Sequence, residues 1–269
     1  MQEAKRRALL TLLIAALIVI KCSFAVSTDV GAATQSRAEC VVEVGSFRFL
    51  HELNADLSLP MASTTKILTA LIVLEDCSPD EIVIVPAEAE RAEGSSVYLR
   101  RGEERTVEEL LYGMMLRSGN DCAVALAIHH SGSIRKFAAV MNTRAAAMGA
   151  ESSHFCNPHG LPEEGHYTTS RDLALIAAHA MQNAAFRDIV SCKFYPSSGW
   201  KNKNKLLFNG FEGACGIKTG FTRQAGRCLV AAAERGGRLL VSVVLNCPQM
   251  YERTQELLDR CFSRYDFLT

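Results

Sequence analysis

Eight consecutive residues, Ile67-Leu68-Thr69-Ala70-Leu71-Ile72-Val73-Leu74, carry one hydroxyl and no charge. At 3.6 residues per turn they are apolar on every side, a pattern that predicts a helix buried all round rather than an amphipathic one. Such a helix needs other elements packed against each of its faces. The chain enters it through Ser63-Thr64-Thr65-Lys66. In the first turn Ser63 and Lys66 stand at i and i+3, on one face and within reach of each other. Burial there disfavours the ammonium and lowers the lysine pKa, which is what a lysine base requires. The helix N-terminus adds backbone N–H groups and a partial positive charge beside a developing oxyanion.

A Ser-x-x-Lys pattern is expected by chance roughly once in a chain of this length. It occurs twice more, at Ser133-Ile134-Arg135-Lys136 and Ser198-Gly199-Trp200-Lys201. Ser133 precedes Ile134, Phe137, Met141, Ala145 and Met148, spaced as one apolar helix face, so it reads as an N-cap. Ser198 lies in a polar run from Ser197 to Lys203 that reads as a loop. Only Ser63 opens a buried helix.

Two further motifs follow in order, and each occurs once: Ser118-Gly119-Asn120 and Lys218-Thr219-Gly220. Thr106-Val107-Glu108-Glu109 is a capping-box start for a helix through Leu110, Leu111, Met114 and Met115. Another apolar helix begins at Asn120-Asp121 and covers Cys122 to Ile128. Ser118 and Asn120 thus sit on a short connection between two core helices, where side chains can project into a cleft. Taken alone, the same residues suit an ordinary turn and cap. Lys218-Thr219-Gly220 precedes two apolar runs, Cys228–Ala233 and Leu239–Leu245, on either side of Gly236-Gly237, which read as a β-hairpin. The motif is therefore expected on a neighbouring strand, where Gly220 lets an extended substrate approach the backbone. The ordered set supplies a nucleophile, two lysines, a second hydroxyl and an amide. That is a kit for acyl transfer at serine without a histidine base.

With these motifs, and with Met61-Ala62-Ser63, Leu116-Arg117-Ser118, Asn157-Pro158-His159-Gly160-Leu161, Gly216-Ile217-Lys218, Phe221-Thr222 and Ala225-Gly226, the chain resembles the serine-type D-alanyl-D-alanine carboxypeptidases. These are the low-molecular-mass penicillin-binding proteins, fold relatives of the serine β-lactamases. The resemblance runs from about Cys40 to Pro248, and Ser-Gly-Asn is the carboxypeptidase form of the middle motif. It implies an α/β fold of the β-lactamase/DD-peptidase type, with an antiparallel sheet flanked by helices, an all-helical lobe and the site in the cleft between them. The sheet is expected to use Cys40–Leu50 and the strands after Cys215. The implied activity removes the terminal D-Ala from peptidoglycan pentapeptide stems through an acyl-enzyme. Ser63 would attack the carbonyl, Lys66 would take its proton, and Ser118 would relay a proton to the leaving nitrogen. Asn120 would bind the substrate's peptide amide, and Lys218 and Thr219 its carboxylate. Gly220 would let the substrate lie along the strand, and the N–H groups of Ser63 and Phe221 would hold the oxyanion. Peptidoglycan stem peptides are the implied partner and β-lactams the acylating inhibitors; no cofactor or metal is implied.

Residues 1–25 read as a signal peptide: Lys5-Arg6-Arg7, an apolar run from Ala8 to Ile20, and Ser23-Phe24-Ala25 as cleavage site. This thirteen-residue run spans only about 20 Å as a helix, short of a ~30 Å bilayer core. A membrane tether therefore follows only if the segment stays uncleaved. Lys21 before Cys22 disfavours lipoprotein processing. The expected organisation is a short segment over 26–37 and a catalytic domain over 38–269, without the C-terminal β-rich domain and membrane helix of many relatives. About 50 residues follow Lys218-Thr219-Gly220, room for strands and one helix near Gln255 to Tyr265. Cleavage leaves 25 basic and 28 acidic residues, a balance that points away from nucleic acid. The expected location is outside the cytoplasm of a bacterium, in the wall or on the outer face of the cytoplasmic membrane.

Nine cysteines remain after cleavage, scattered rather than patterned, and Cys122, Cys228 and Cys261 lie in apolar runs as small core residues do. They are expected to be mostly reduced. His154-Phe155-Cys156-Asn157-Pro158-His159 has a metal-like look but no matching second pair, so a loop is the better reading. Two alternatives compete with a carboxypeptidase. A β-lactamase would need a glutamate with an asparagine four residues later; Glu163 and Glu164 are followed at that spacing by Tyr167 and Thr168. A non-catalytic penicillin or peptidoglycan sensor would ordinarily have lost one of the three motifs.

Overall fold

In the computed structural model, which describes residues 36–264, the apolar run forms helix α1 (Lys66–Asp76), entered through a 3₁₀ turn over Ala62–Thr65. Every residue from Lys66 to Val73 is buried, as its all-round apolar pattern requires. Around α1 pack α2 (Val107–Leu116), α3 (Asn120–Ser131), α4 (Ile134–Ala147), α5 (Ser170–Gln182) and α6 (Ala184–Ser191). Helix α2 starts in the expected capping box, with Glu109 N donating to Thr106 Oγ1 at 3.1 Å and Thr106 N to Glu109 Oε2 at 3.3 Å. Ser133 caps α4 by accepting from Lys136 N, so its Ser-x-x-Lys pattern is structural. Ser198 lies in a 3₁₀ turn between the paired segments Phe194–Tyr195 and Trp200–Lys201. Helices α2 and α3 cross closely because Gly113 has no side chain; a Cβ there would stand 2.8 Å from Cys122 Sγ and 3.0 Å from the Trp200 ring.

The sheet has five antiparallel strands: β1 (Ala38–Glu43), β2 (Phe49–Leu53), β3 (Ala214–Thr222), β4 (Gly226–Arg235) and β5 (Arg238–Leu245). Their spatial order is β2-β1-β5-β4-β3. Gly236 and Gly237 both take positive φ, as a two-residue hairpin turn demands. Along β4, Cys228, Val230 and Ala232 face the helical core, while Leu229, Ala231 and Ala233 face a second core on the other side. Burial on both faces explains why the strand reads as one continuous apolar run. The second core is closed by α7 (Met250–Arg264) through Leu257, Leu258 and Cys261. This helix begins five residues before the expected Gln255, because Met250 and Thr254 continue its buried face.

The stretch Cys40–Leu50, expected in the sheet, enters it as the hairpin β1–β2. It is interrupted where the Glu43 carboxylate accepts from Gly45 N and Ser46 N and where Phe47 takes a positive φ. A local side-chain-to-backbone turn outcompetes the ladder there. Glu39 on β1 is fully buried and receives two bonds from Arg253 of α7 at 2.8 Å each. Burial alone would raise its pKa; hydrogen bonds from His51 and Arg253 outweigh it and hold the carboxyl at about 2. The nine cysteines of the described residues are all free thiols, with Cys122, Cys228 and Cys261 in the cores. The proposed signal peptide, residues 1–25, and most of the segment 26–37 lie outside the described residues. Among those described, no helix is long and apolar enough to cross a membrane.

Candidate active site

The first turn of α1 places Lys66 Nζ 3.1 Å from Ser63 Oγ, 2.7 Å from Asn120 Oδ1 and 2.8 Å from the His159 carbonyl. Lys66 is fully buried. Burial, followed by the charge of Lys218, holds its pKa well below the ordinary 10.5. All three partners, Ser63 Oγ, Asn120 Oδ1 and the His159 carbonyl oxygen, can accept from Nζ, and Ser63 Oγ is the one that also carries a proton. Ser63 is not a helix cap; no side chain caps this turn, and Thr64 and Thr65 donate instead to the carbonyls of Met61 and Ala62. Ala62, directly before the serine, takes φ +50, a strained backbone of the kind found where a side chain must be presented.

Ser118 joins α2 to α3 with φ +65 and is buried, lining the same cleft as Ser63. Asn120 opens α3, and its side chain is engaged at both ends: Oδ1 by Lys66, and Nδ2 by the Glu93 carbonyl at 2.6 Å. Asp121, which the sequence reading passed over, is a buried hub. Its carboxylate accepts from Ser96 Oγ, Val97 N and Leu99 N, and so fixes the 95–99 loop against the cleft.

The third motif lies on β3, an outer strand of the sheet that runs across the start of α1. Gly220 makes that crossing possible. A Cβ there would sit 3.0 Å from the Met61 carbonyl and 3.2 Å from Ser63 N, closing off that N–H. Period-2 alternation puts Lys218 on the same inward face, and it is 2 % exposed. An outward, solvated lysine is thereby ruled out. Burial, followed by the charge of Lys203, brings its pKa down to about 7, and its ammonium donates to the Thr219 carbonyl. Thr219, Gly220 and Phe221 line a cleft of about 330 Å³ with Ser63 and Ser118, and Lys203, Lys205 and Arg227 stand around it. The structure thus brings Ser63, Lys66, Ser118, Asn120 and the 218–221 strand to one place, and leaves Ser133 and Ser198 elsewhere.

The sequence profile of the D-alanyl-D-alanine carboxypeptidase family matches residues 24–249. The chain belongs to that family. It is 31 % identical over 285 residues to the D-alanyl-D-alanine carboxypeptidase DacF of Bacillus subtilis, covering 97 % of this chain and 72 % of that one. It is 36 % identical over 225 residues to a Streptomyces D-alanyl-D-alanine carboxypeptidase, covering 75 % and 77 %. Among solved structures, a Streptomyces DD-transpeptidase variant superposes with a TM-score of 0.79 at 32 % identity over 84 % of this chain and 97 % of that one. An ampicillin-bound penicillin-binding protein of Listeria monocytogenes gives 0.76 at 30 % identity, covering 84 % and 96 %. The chain is a serine-type D-Ala-D-Ala carboxypeptidase, with the expected α/β DD-peptidase fold.

In this carboxypeptidase the loop over 157–166 forms the floor behind Lys66. Asn157 Oδ1 accepts from Gly160 N, Pro158 O accepts from Thr69 Oγ1, and Gly160 passes so close to Ala62 that a Cβ would fall 1.9 Å from its carbonyl. The candidate β-lactamase carboxylates, Glu163 and Glu164, are exposed, and Glu163 accepts from Asn157 Nδ2. The metal-like His154–Cys156 stretch is loop, as expected. His166 bridges it to the 3₁₀ turn that carries Ser63: Cys156 N donates to Nδ1, and Nε2 lies 2.9 Å from Thr65 Oγ1. Only the neutral ring fits, because Nδ1 must accept. Burial, followed by His154, holds the His166 pKa at about 4; burial, followed by Lys66, holds that of His159 at about 3.

Both histidines have folded pKa values below the unfolded 6.5, so the unfolded chain binds more protons and stability falls as pH is lowered. The loss should begin near pH 6.5 and reach about 3 kcal/mol for each histidine by pH 4. Glu39 adds its own loss only below its unfolded value of 4.5. Urea unfolding at pH 7 and pH 4.5 measures this, and His166→Gln should flatten the dependence. An unchanged slope in that variant would assign the acid sensitivity to other groups.

Proposed function

We propose that Ser63 is acylated by the penultimate D-Ala of a peptidoglycan stem peptide, with Lys66 as its base. The reading rests on the buried Lys66, whose pKa burial holds well below the ordinary value and whose Nζ lies 3.1 Å from Ser63 Oγ. The Ser63 proton passes to Lys66 Nζ as Oγ attacks the carbonyl carbon. The oxyanion would lie between Ser63 N and Phe221 N, where the missing Gly220 side chain leaves room. Ser118, on the cleft wall, would hand a proton to the leaving D-Ala nitrogen. Water then attacks the ester and frees Ser63.

Lys218 and Thr219 are assigned to the substrate's terminal carboxylate. A lysine with a pKa of about 7 is half charged at neutral pH, and an incoming carboxylate favours the charged form. Asn120 holds Lys66 through Oδ1 and the Glu93 carbonyl through Nδ2, which leaves a second lone pair and a second N–H to meet the substrate's amide. β-Lactams would acylate the same serine. An exported enzyme acting outside the cytoplasm fits this substrate.

The test compares diacetyl-Lys-D-Ala-D-Ala with its C-terminal amide. Losing a charge-assisted contact worth about 1.5–3 kcal/mol should slow the amide by about 10- to 100-fold. Equal turnover of the two would refute the carboxylate role of Lys218 and Thr219. On the same preparation a penicilloyl adduct should last minutes or longer, since Glu163 and Glu164 are exposed, Glu163 is held by Asn157, and neither has an asparagine four residues later. Rapid adduct decay without D-Ala release would make the chain a β-lactamase.

A further inference from the structure

We propose that Cys77, Glu81 and His129 form a binding site for a zinc-class divalent cation, on the side of the helical lobe away from the catalytic serine. Their ligand atoms, one thiol sulfur, one carboxylate oxygen and one imidazole nitrogen, all lie within 4.8 Å of one another. His129 Nε2 is already 2.9 Å from Glu81 Oε2. The other carboxylate oxygen accepts from Ser78 N at 2.6 Å, which turns Oε2 toward the imidazole. The three backbones are fixed as well. Cys77 N donates to the Val73 carbonyl at the end of α1, Val107 N donates to the Glu81 carbonyl, and His129 stands in the last turn of α3.

The donor set selects the cation. Sulfur and imidazole ligands suit zinc at about 2.3 Å and 2.0–2.1 Å, with carboxylate oxygen at about 2.0–2.2 Å, whereas calcium and magnesium demand oxygen throughout. In a tetrahedron of those bond lengths neighbouring ligand atoms are about 3.3–3.7 Å apart. The histidine–glutamate pair therefore opens by about half an ångström while the sulfur closes in. Thiolate and carboxylate together cancel the charge of a divalent ion, and the partly exposed side chains leave the fourth position to water. An ordinary ion pair would explain Glu81 with His129, but not a thiol placed within the same few ångströms. Cys156 and His154, 3.6 Å apart, make no comparable three-ligand group among the described residues.

The position defines what the ion does. Helices α1 and α3 begin with Lys66 and Asn120, and the cation would tie their opposite ends, about 14–16 Å away along the axes. Asp76 and His130, 3.0 Å apart, already clasp the same two ends. A bound ion would therefore stabilise the helical lobe without entering the reaction.

Titration of the reduced full-length protein with Co²⁺, and displacement by Zn²⁺ against a chromogenic chelator, tests this directly. The expected result is one equivalent of Co²⁺ with a near-ultraviolet thiolate-to-cobalt band, a higher Tm with Zn²⁺, and D-Ala release unchanged within twofold by chelator. Cys77→Ser should lose the band, and His129→Ala should weaken Zn²⁺ binding at least tenfold. Each variant should abolish the metal-dependent rise in Tm. No thiolate band in the wild-type protein, a band that survives Cys77→Ser, or loss of D-Ala release on chelation would each overturn the proposal.

Discussion

Ser63→Ala is expected to abolish penicilloyl labelling and to reduce D-Ala release by roughly 10⁴-fold or more, the scale on which removal of a covalent nucleophile is felt. Stability should change by less than about 1 kcal/mol, because the side chain caps no helix and its hydroxyl meets only Lys66 at the cleft floor. The two other Ser-x-x-Lys serines provide the internal contrast. Ser133→Ala removes an N-cap and should cost about 1 kcal/mol while leaving labelling intact. Ser198→Ala, in a surface turn, should change neither quantity measurably. Mass mapping of a fluorescent penicillin adduct, with urea melts of the three variants, reads all of this at once. An adduct that persists in Ser63→Ala and disappears in Ser133→Ala or Ser198→Ala would overturn the assignment.

The parts of this enzyme that were legible in the sequence are those where chemistry and local structure share one short stretch. The buried α1 announces itself by eight residues without charge, and the Thr106 capping box by a spacing of three. The β4–β5 hairpin shows in two apolar runs around Gly236-Gly237, whose positive φ values only a twisted two-residue turn requires. What stayed hidden depends on backbone atoms or distant pairs. One of the three bonds that set the state of Lys66 comes from the carbonyl of His159, and one of the two that hold Asn120 comes from the carbonyl of Glu93. A carbonyl has no residue signature. Asp121 looks like a first-turn helix acid, and only the folded loop shows that it collects Ser96, Val97 and Leu99. Glu39 and Arg253 lie 214 positions apart, so nothing local marks the buried pair that docks α7 on β1. The turn between β1 and β2 is hidden for the same reason in miniature, since it is built from bonds of the Glu43 side chain to backbone N–H groups.

Replacing Lys66 by alanine should slow acylation at least ~10²-fold, the usual loss with a general base. Alanine alone does not separate a base from a charge or a spacer, and arginine does. Arg at position 66 keeps a cation near the same atoms but cannot give up its proton at any working pH. If Lys66 acts as the neutral amine, Lys66→Arg should be as inactive as Lys66→Ala; if its role were a positive charge, arginine should rescue. The pH profile is a second readout with a defined sign. Burial and Lys218 lower the Lys66 pKa, so kcat/KM should rise with pH as Lys66 loses its proton. It should fall again near 7 as Lys218 loses the charge that receives the carboxylate. The two limbs belong to the interacting pair rather than to either lysine alone. Bound substrate stabilises the Lys218 ammonium, so the alkaline limb should lie higher in kcat than in kcat/KM. Lys218→Arg should remove that alkaline limb while keeping the acid one. An alkaline limb that survives Lys218→Arg, or an arginine at position 66 that restores more than about a tenth of wild-type acylation, would refute this division of labour between the two lysines.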